Sequence, residues 1–230
     1  MWVTQWDVPF VSVTPVANPM NPSQPVFQTT QRTSLSNTKF VPMPTVGLTV
    51  GKWFLAATVA PSTSYDCRCE LGSVDRREFD VSLGYEILPR LYLSLGYKEG
   101  RQSKIVNTPE SSEAKAQALL IGAQASANLT DTISLYGNAA YGFTQYRSDL
   151  PDPDNRSHYD GGYQIGEVGL SWRFGQLLGN AFQNASVALG YRFQSLLVND
   201  TPNRGADGSV QRTDLRSNTS GPVVTLVAFF

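Results

Sequence analysis

The feature that most constrains this chain is an alternation of apolar and small polar residues that recurs in paired runs. In "FDVSLGYEILPRLYLSLGY", apolar side chains occupy every second position before and after a break at Pro89 and Arg90. A period of two places alternate side chains on opposite faces of a β-strand, and a short break between two such runs predicts a hairpin. The pattern therefore predicts antiparallel strands joined by short turns.

The same pattern predicts eight strands in total. The other six runs are "TVGLTVGKWFLAATVA", "LLIGAQASAN", "ISLYGNAAYGF", "GEVGLSWRF", "ASVALGYRF" and "VVTLVAFF". Each run has about the 9–11 residues that cross a bilayer as a tilted strand. The intervening segments alternate in length, with long polar ones at 61–77, 99–113, 147–162 and 199–218 and short ones near 88–90, 128–131 and 175–184. Long loops at one end and short turns at the other are typical of an up-and-down membrane barrel.

Residues 1–44 differ from the rest of the chain because they hold seven of its 14 prolines. Proline at this density disfavours helices and central strands. We therefore predict an extended, irregular N-terminal segment over 1–44, followed by the barrel over 45–230. The aromatic residues of the segment suggest that it packs on the barrel or docks on another envelope protein.

Composition excludes several other classes. Net charge is −1 and only 16% of residues are charged, so no nucleic-acid partner is expected. No stretch approaches the ~20 apolar residues of a transmembrane helix. The first ten residues lack a secretory pattern, and we expect a leader to have been removed. With one histidine, His158, and two cysteines, Cys67 and Cys69, no metal site or cofactor is expected; the cysteines are two loop thiols or a local disulfide.

The two faces of the predicted strands differ in kind. One carries aliphatic, aromatic and alanine side chains, whereas the other carries Gly, Ser, Thr and Asn with isolated charges. Small polar residues suit the narrow interior of an eight-stranded barrel. We predict a lumen network of ion pairs at Lys52, Asp80, Glu86, Lys98, Glu167, Arg173 and Arg192. Such a network forms a packed plug, or alternatively a narrow gated path for ions.

Aromatic residues gather near the predicted strand ends. Trp and Tyr at these positions are typical of the girdles that flank the apolar band of a membrane barrel. The predicted girdle consists of Trp53, Tyr85, Tyr97, Tyr141, Trp172 and Tyr191.

On the segments "VSLGYEILPRLYLSLGY", "LTDTISLYGNAAYGF", "VGLSWRF" and "VALGYRF", and on the terminal Phe230, the sequence resembles small bacterial outer-membrane barrels. These are the OmpA transmembrane domain, OmpX and the Opa-like surface antigens. The resemblance implies an integral protein of the bacterial outer membrane. It also implies that Phe230 belongs to the signal read by the outer-membrane assembly machinery. We therefore predict an all-β fold, an eight-stranded antiparallel up-and-down transmembrane β-barrel with a Pro-rich irregular N-terminal extension.

The predicted function is structural and interactive. Long loops contact partners, outer-membrane lipid or lipopolysaccharide, and residues 1–44 dock on an envelope complex. The loop arginines that could pair with phosphates are Arg147, Arg156, Arg204, Arg212 and Arg216. The alternatives are a small gated channel, a lipid-modifying or proteolytic barrel enzyme using His158 with Ser157 or Asp160, and a soluble β-sandwich. We expect no enzyme, because sequence neighbours seldom converge as nucleophile and base.

Overall fold

The chain is almost entirely β-strand in the computed structural model, which describes residues 1–17, 26–69, 71–105, 112–149, 152, 154–174, 185–205, 207 and 209–227. The strands are β1 (Trp2–Val16), β2 (Val26–Leu35), β3 (Lys39–Val41), β4 (Thr45–Val50), β5 (Trp53–Asp66), β6 (Ser73–Leu88), β7 (Leu91–Ser103), β8 (Glu113–Asn128), β9 (Ile133–Ser148), β10 (His158–Arg173), β11 (Ser186–Arg204) and β12 (Val210–Val227). Over these residues, no helix has the length and apolarity needed to cross a membrane.

Strands β4 to β12 form a meander in which each strand pairs antiparallel with the next. The last strand then pairs with the first, with Trp2 opposite Val223 and Trp6 opposite Thr219. β1 in turn pairs with β2 and, nearer its start, with β3. These pairings join the two ends of the meander through β1.

The remaining contacts close the sheet into a barrel. The Asn37 amide donates to the Asp66 carbonyl over 2.9 Å, and the Val59 amide donates to the Pro44 carbonyl over 3.1 Å. The segment that contains β3 and β4 therefore lies as one interrupted line between β1 and β5. β1, this line and β5–β12 supply ten wall positions, an even number as in other single-chain membrane barrels.

The prediction of eight strands with an irregular N-terminal extension is wrong. Trp2–Val16 is a regular strand whose first residues belong to the wall, and its prolines, such as Pro9, lie beyond the pairing with β12, where β1 has a ladder only with β2. Proline is tolerated in such an edge. The run at 45–60, predicted as one strand, is the hairpin β4–β5, whose turn uses Gly51 at φ 59°. Glycine adopts this left-handed conformation without steric cost.

The strands are also longer than the alternation suggested. β6 to β12 contain 13–19 residues, whereas a tilted crossing needs about 9–11. Much of the sequence predicted as long loops is therefore strand. We call the end with the turns at 51–52, 89–90 and 129–132 the turn end, and the opposite end the long-loop end.

Along the turn-end half of β5–β12, large apolar side chains face outward and small or polar ones face the lumen. Phe143, which points outward, is 80% exposed, whereas the Lys98 side chain in the lumen is 2% exposed. This arrangement is the reverse of a water-soluble core and matches a barrel surrounded by lipid.

The upper part of β1 and β2, residues 7–16 and 26–35, forms a ribbon that we call the N-terminal hairpin. On one side, the Val11 amide donates to the Ile105 carbonyl over 2.6 Å, and Gln102 Nε2 donates to the Pro9 carbonyl over 2.7 Å. On the other side, the Gln31 amide donates to Asn203 Oδ1 over 2.5 Å. Because β7 and β11 are far apart around the wall, the hairpin crosses the barrel mouth at the long-loop end.

Candidate functional site: the lumen and the outer mouth

Four charged side chains form a cluster inside the barrel, at the long-loop half of β6 and β7. Strand alternation turns Arg76, Glu78 and Asp80 inward, and the β6–β7 register sets Asp80 opposite Lys98. Lys98 Nζ donates to Glu78 Oε2 over 2.6 Å and lies 3.6 Å from Asp80 Oδ2. The Arg76 guanidinium pairs with the second Glu78 oxygen. Glu78 is thus held between two cations in the lumen.

The cluster reaches across the lumen to the opposite wall. Arg76 Nη1 donates to Thr219 Oγ1 of β12 over 2.5 Å, and its guanidinium lies 4.7 Å from the centre of the Trp6 ring. Lys98 Nζ lies 5.8 Å from the ring centre of Tyr163 on β10. These contacts form a layer of side chains that spans the barrel from β6 to β10 and β12.

A second ion pair lies nearby, between β10 and β11. Arg192 Nη1 is 3.9 Å from Glu167 Oε2, and the Tyr136 hydroxyl donates to Glu167 Oε1 over 2.9 Å. The Arg192 guanidinium lies 5.5 Å from the centre of the Trp2 ring. The first strand therefore supplies aromatic partners for both Arg76 and Arg192.

Cavities adjoin this layer, and two of them are larger than the one of about 10 Å³ between Trp2 and Arg76. One of about 40 Å³ is bordered by Arg76, Tyr163 and Gln194 together with the base of the N-terminal hairpin. The other, of about 170 Å³, is bordered by Asp80, Arg192 and polar residues such as Asn138. About 10–15 Å³ of such volume is enough to hold one water molecule, so both cavities have room for water.

The structure brings four of the predicted lumen residues together in pairs, Asp80 with Lys98 and Glu167 with Arg192. The other three lie at the turn end. Lys52 is exposed in the β4–β5 turn, Arg173 is exposed at the end of β10, and Glu86 accepts a hydrogen bond from the Arg90 amide over 2.8 Å. Their assigned role stays a prediction.

Sequence reasoning missed Arg76 and Glu78, which lie at the centre of the cluster. Arg76 fell within the segment 61–77 that was predicted as a loop. The alternation nevertheless extended this far, because every second residue from Asp80 through Glu78 and Arg76 to the buried Val74 faces inward.

The predicted girdle residues lie on the outer surface. Trp53 and Tyr85 are partners across β5–β6, with ring centres 4.8 Å apart, at the turn end. Trp172 lies at the same end, opposite Ile133, whereas Tyr97 and Tyr141 lie near the middle of β7 and β9. The sixth residue, Tyr191, is an exposed residue of β11. Phe230, the predicted assembly signal, lies outside the described residues.

A second charged cluster lies outside the barrel, between the β9–β10 loop and the β11–β12 hairpin. Arg212 pairs with Asp152 over 3.4 Å, with Asp154, and with Asp200 over 3.8 Å. Arg156 pairs with Asp200 over 3.1 Å. Two of the predicted loop arginines thus tie neighbouring loops together.

We predict that acid loosens this loop cluster. Burial alone raises the pKa of the Asp152 carboxyl, but the Asp154 amide, the Tyr159 hydroxyl and the Arg212 guanidinium together lower the pKa below its ordinary value. A lowered pKa stabilises the folded loop above the unfolded pKa of about 3.9, and this contribution is lost as the pH falls through the folded pKa. Hydrogen-exchange protection of the Asp154 and Asn155 amides, corrected for intrinsic rates, should fall over that range.

The matched variant for this prediction is Asp152→Asn, which removes the titrating group and keeps the shape of the side chain. Its loop amides should be less protected near neutral pH and should show little further loss on acidification. An acid-dependent loss as large as in the wild type would contradict the role assigned to Asp152.

His158 lies at the start of β10, opposite Arg147 of β9. Its Nδ1 is 3.0 Å from Ser157 Oγ, and both residues are exposed. Cys67 and Cys69 form a disulfide, which decides between the two alternatives left open above. In the described part of the chain, no group of three or more His, Cys, Asp or Glu side chains is arranged to hold a metal ion.

A family model for the OmpA-like transmembrane domain matches residues 63–180. The fold is similar to the crystal structure of the outer-membrane protease OmpT from Escherichia coli, with a TM-score of 0.51 and 12% identity, covering 99% of this chain and 94% of that one. It is also similar to OmpT, an outer membrane protein of Vibrio cholerae, with a TM-score of 0.34 and 12% identity over 85% of this chain and 60% of that one. A search of curated proteins gave no significant match.

The protease comparison corrects one expectation. We expected no enzymatic activity, and that exclusion is wrong, because the barrel whose fold this chain shares is a protease. At 12% identity the likeness concerns the fold alone.

Proposed function

We propose that this chain is a barrel with a sealed lumen that presents a recognition surface at its long-loop end. The chain belongs to the family of OmpA-like transmembrane domains and is an integral β-barrel of the bacterial outer membrane. The observation that carries the proposal is the double obstruction of the interior. The layer of Arg76, Glu78 and Lys98 crosses the lumen, and the N-terminal hairpin crosses the mouth above it.

The recognition surface consists of the outer loops and the exposed side of the N-terminal hairpin. Arg212 and Arg156 hold the loops together, whereas Arg204 and Arg216 are exposed. Phe27 is 58% exposed on the hairpin. This combination of ion-paired loops and an exposed apolar side chain suits contact with lipopolysaccharide, or with another envelope protein through residues 1–44. The assembly machinery is a transient partner at the C-terminal strand.

The proposal predicts that the purified protein gives no steady conductance in planar bilayers. Eight to ten strands leave room for side chains in the interior, and here those side chains are joined by ion pairs. Steady single-channel openings of the wild-type protein would replace the proposal with the gated channel, which the polar cavity of about 170 Å³ favours as the second candidate.

The control for the conductance measurement is Glu113→Gln, a substitution at an exposed acid outside the lumen. It should match the wild type, and openings that also occur in protein-free detergent blanks would identify an artefact. The recognition surface itself is tested by photo-crosslinkers at Arg204 and Arg90 in native membranes. Adducts from position 204 and none from position 90 support the proposal, and the reverse contradicts it.

A further inference from the structure

Five basic residues lie side by side across five neighbouring strands. The register sets Arg77 of β6 opposite Arg101 of β7, Arg101 opposite Lys115 of β8, Lys115 opposite Arg147 of β9, and Arg147 opposite His158 of β10. We call these five residues the basic row. With strands about 4.8 Å apart, the row extends over about 19 Å of the barrel circumference.

All members of the basic row face outward, because each has the parity of the exposed apolar residues on its own strand. Lys115 shares its face with Leu119, and Arg147 shares its face with Phe143. The row lies four residues beyond Leu119 and Phe143 along β8 and β9, about 13 Å along these tilted strands. It therefore lies above the apolar band, where lipid headgroups meet water.

Like charges directly opposite each other on neighbouring strands destabilise a sheet. Within the described residues, only Glu99 relieves the row, pairing with Arg101 over 2.7 Å and with Lys115 over 2.9 Å. Arg77 and Arg147 are exposed and have no carboxylate within ion-pair distance in this part of the chain. The other acids on this outward face are Asp75, Glu113 and Asp149 beyond the row and Asp160 below it.

We propose that the basic row binds the phosphate groups of an outer-leaflet glycolipid, with Arg77 and Arg147 as the principal contacts. Arginine matches phosphate in a bidentate geometry, and a phosphorylated headgroup neutralises the like charges that the register forces together. The site lies on the barrel wall, outside the recognition surface of the loops. This proposal rests on the proposed function only in that both place the long-loop end outside the cell.

The test uses the full chain in neutral detergent micelles with a fluorescent, doubly phosphorylated lipid A as the probe. Arg77→Gln/Arg147→Gln should weaken binding by about tenfold or more, since two charge-assisted contacts are lost. The control Lys52→Gln/Arg173→Gln removes two exposed cations at the turn end and should change binding by less than about twofold. Heat-modifiable gel migration verifies that each variant is folded.

A second variant has the opposite expectation. Glu99→Gln frees Arg101 and Lys115 and should strengthen binding of the same probe, an effect that general damage to the barrel does not produce. Equal binding by the wild type and Arg77→Gln/Arg147→Gln, or equal binding of fully dephosphorylated lipid A, overturns the proposal.

Excess inorganic phosphate distinguishes the source of the anion. It should compete weakly, because it lacks the acyl chains that lie against the apolar band. Complete displacement of lipid A by inorganic phosphate assigns a free-anion site and overturns the lipid assignment. Conductance and crosslinking from Arg204 are not expected to change in these variants, so failure here is separate from failure of the proposed function.

Discussion

Replacing Glu78 with glutamine is expected to lower the free energy of unfolding by about 3–5 kcal/mol. Glutamine keeps the size of the side chain but removes the charge that lies between Arg76 and Lys98. Both cations are then left in the lumen with weaker partners, Asp80 at 3.6 Å for Lys98 and the Thr219 hydroxyl for Arg76. The measurement is reversible urea unfolding of the barrel in lipid vesicles, followed by tryptophan fluorescence.

The matched control is again Glu113→Gln, because this acid is exposed at the start of β8. An exposed substitution of this kind usually changes stability by about 0.5 kcal/mol or less. If Glu78→Gln is no more destabilised than Glu113→Gln, then the lumen cluster is well solvated and the first obstruction of the interior is lost from our proposal.

Replacing Trp6 with alanine is expected to destabilise the barrel by about 3–5 kcal/mol, as for other large-to-small changes of a buried aromatic residue. Trp6 is 2% exposed, and its indole Nε1 donates to Ser217 Oγ over 2.8 Å. Its ring packs edge-on against Tyr65 at 5.2 Å between centres and lies under Arg76. The substitution therefore removes packing, a hydrogen bond and a cation–π contact at the point where β1 meets β12.

Phe27→Ala is the control for Trp6→Ala, since Phe27 is an exposed aromatic residue of the N-terminal hairpin, which begins directly after Trp6. Its effect on stability should be about 0.5 kcal/mol or less. Equal and small losses in both variants would show that β1 is an appendage and not part of the wall. Equal and large losses would show that the whole hairpin, and not the Trp6 contact, stabilises the barrel.

The architecture was predictable where the outward face is apolar. In "VSLGYEILPRLYLSLGY" the apolar residues alternate so that they face outward, as contact with lipid requires. The predicted strands β6 and β7 and the outer-membrane location are confirmed. β1 alternates in the opposite sense, with Trp2 and Trp6 facing the lumen and Gln5 facing outward. Because of its prolines and this reversed pattern, β1 was not predicted as a strand, and the predicted number of wall positions was therefore too low.

The lumen cluster was predictable only in part. Parity along a strand turns Asp80 and Lys98 inward, and their pairing follows from the short β6–β7 turn. The contact between Arg76 and Thr219 joins residues 143 positions apart, and it depends on how the barrel closes. No local sequence pattern predicts this contact, because it depends on the number of wall positions and on the place of β1 beside β12.

The pairing of the first strand with the last has a consequence for how the protein reaches its native state. The Met1 carbonyl accepts from the Val224 amide over 2.8 Å, so the seam joins residues 223 positions apart in the sequence. Hairpins such as β6–β7 are local and can form early, but contacts between distant residues must overcome a large loss of chain entropy first. We therefore expect closure at this seam to be the slow event of folding, and the fluorescence of Trp2 and Trp6, which lie at the seam, to report it.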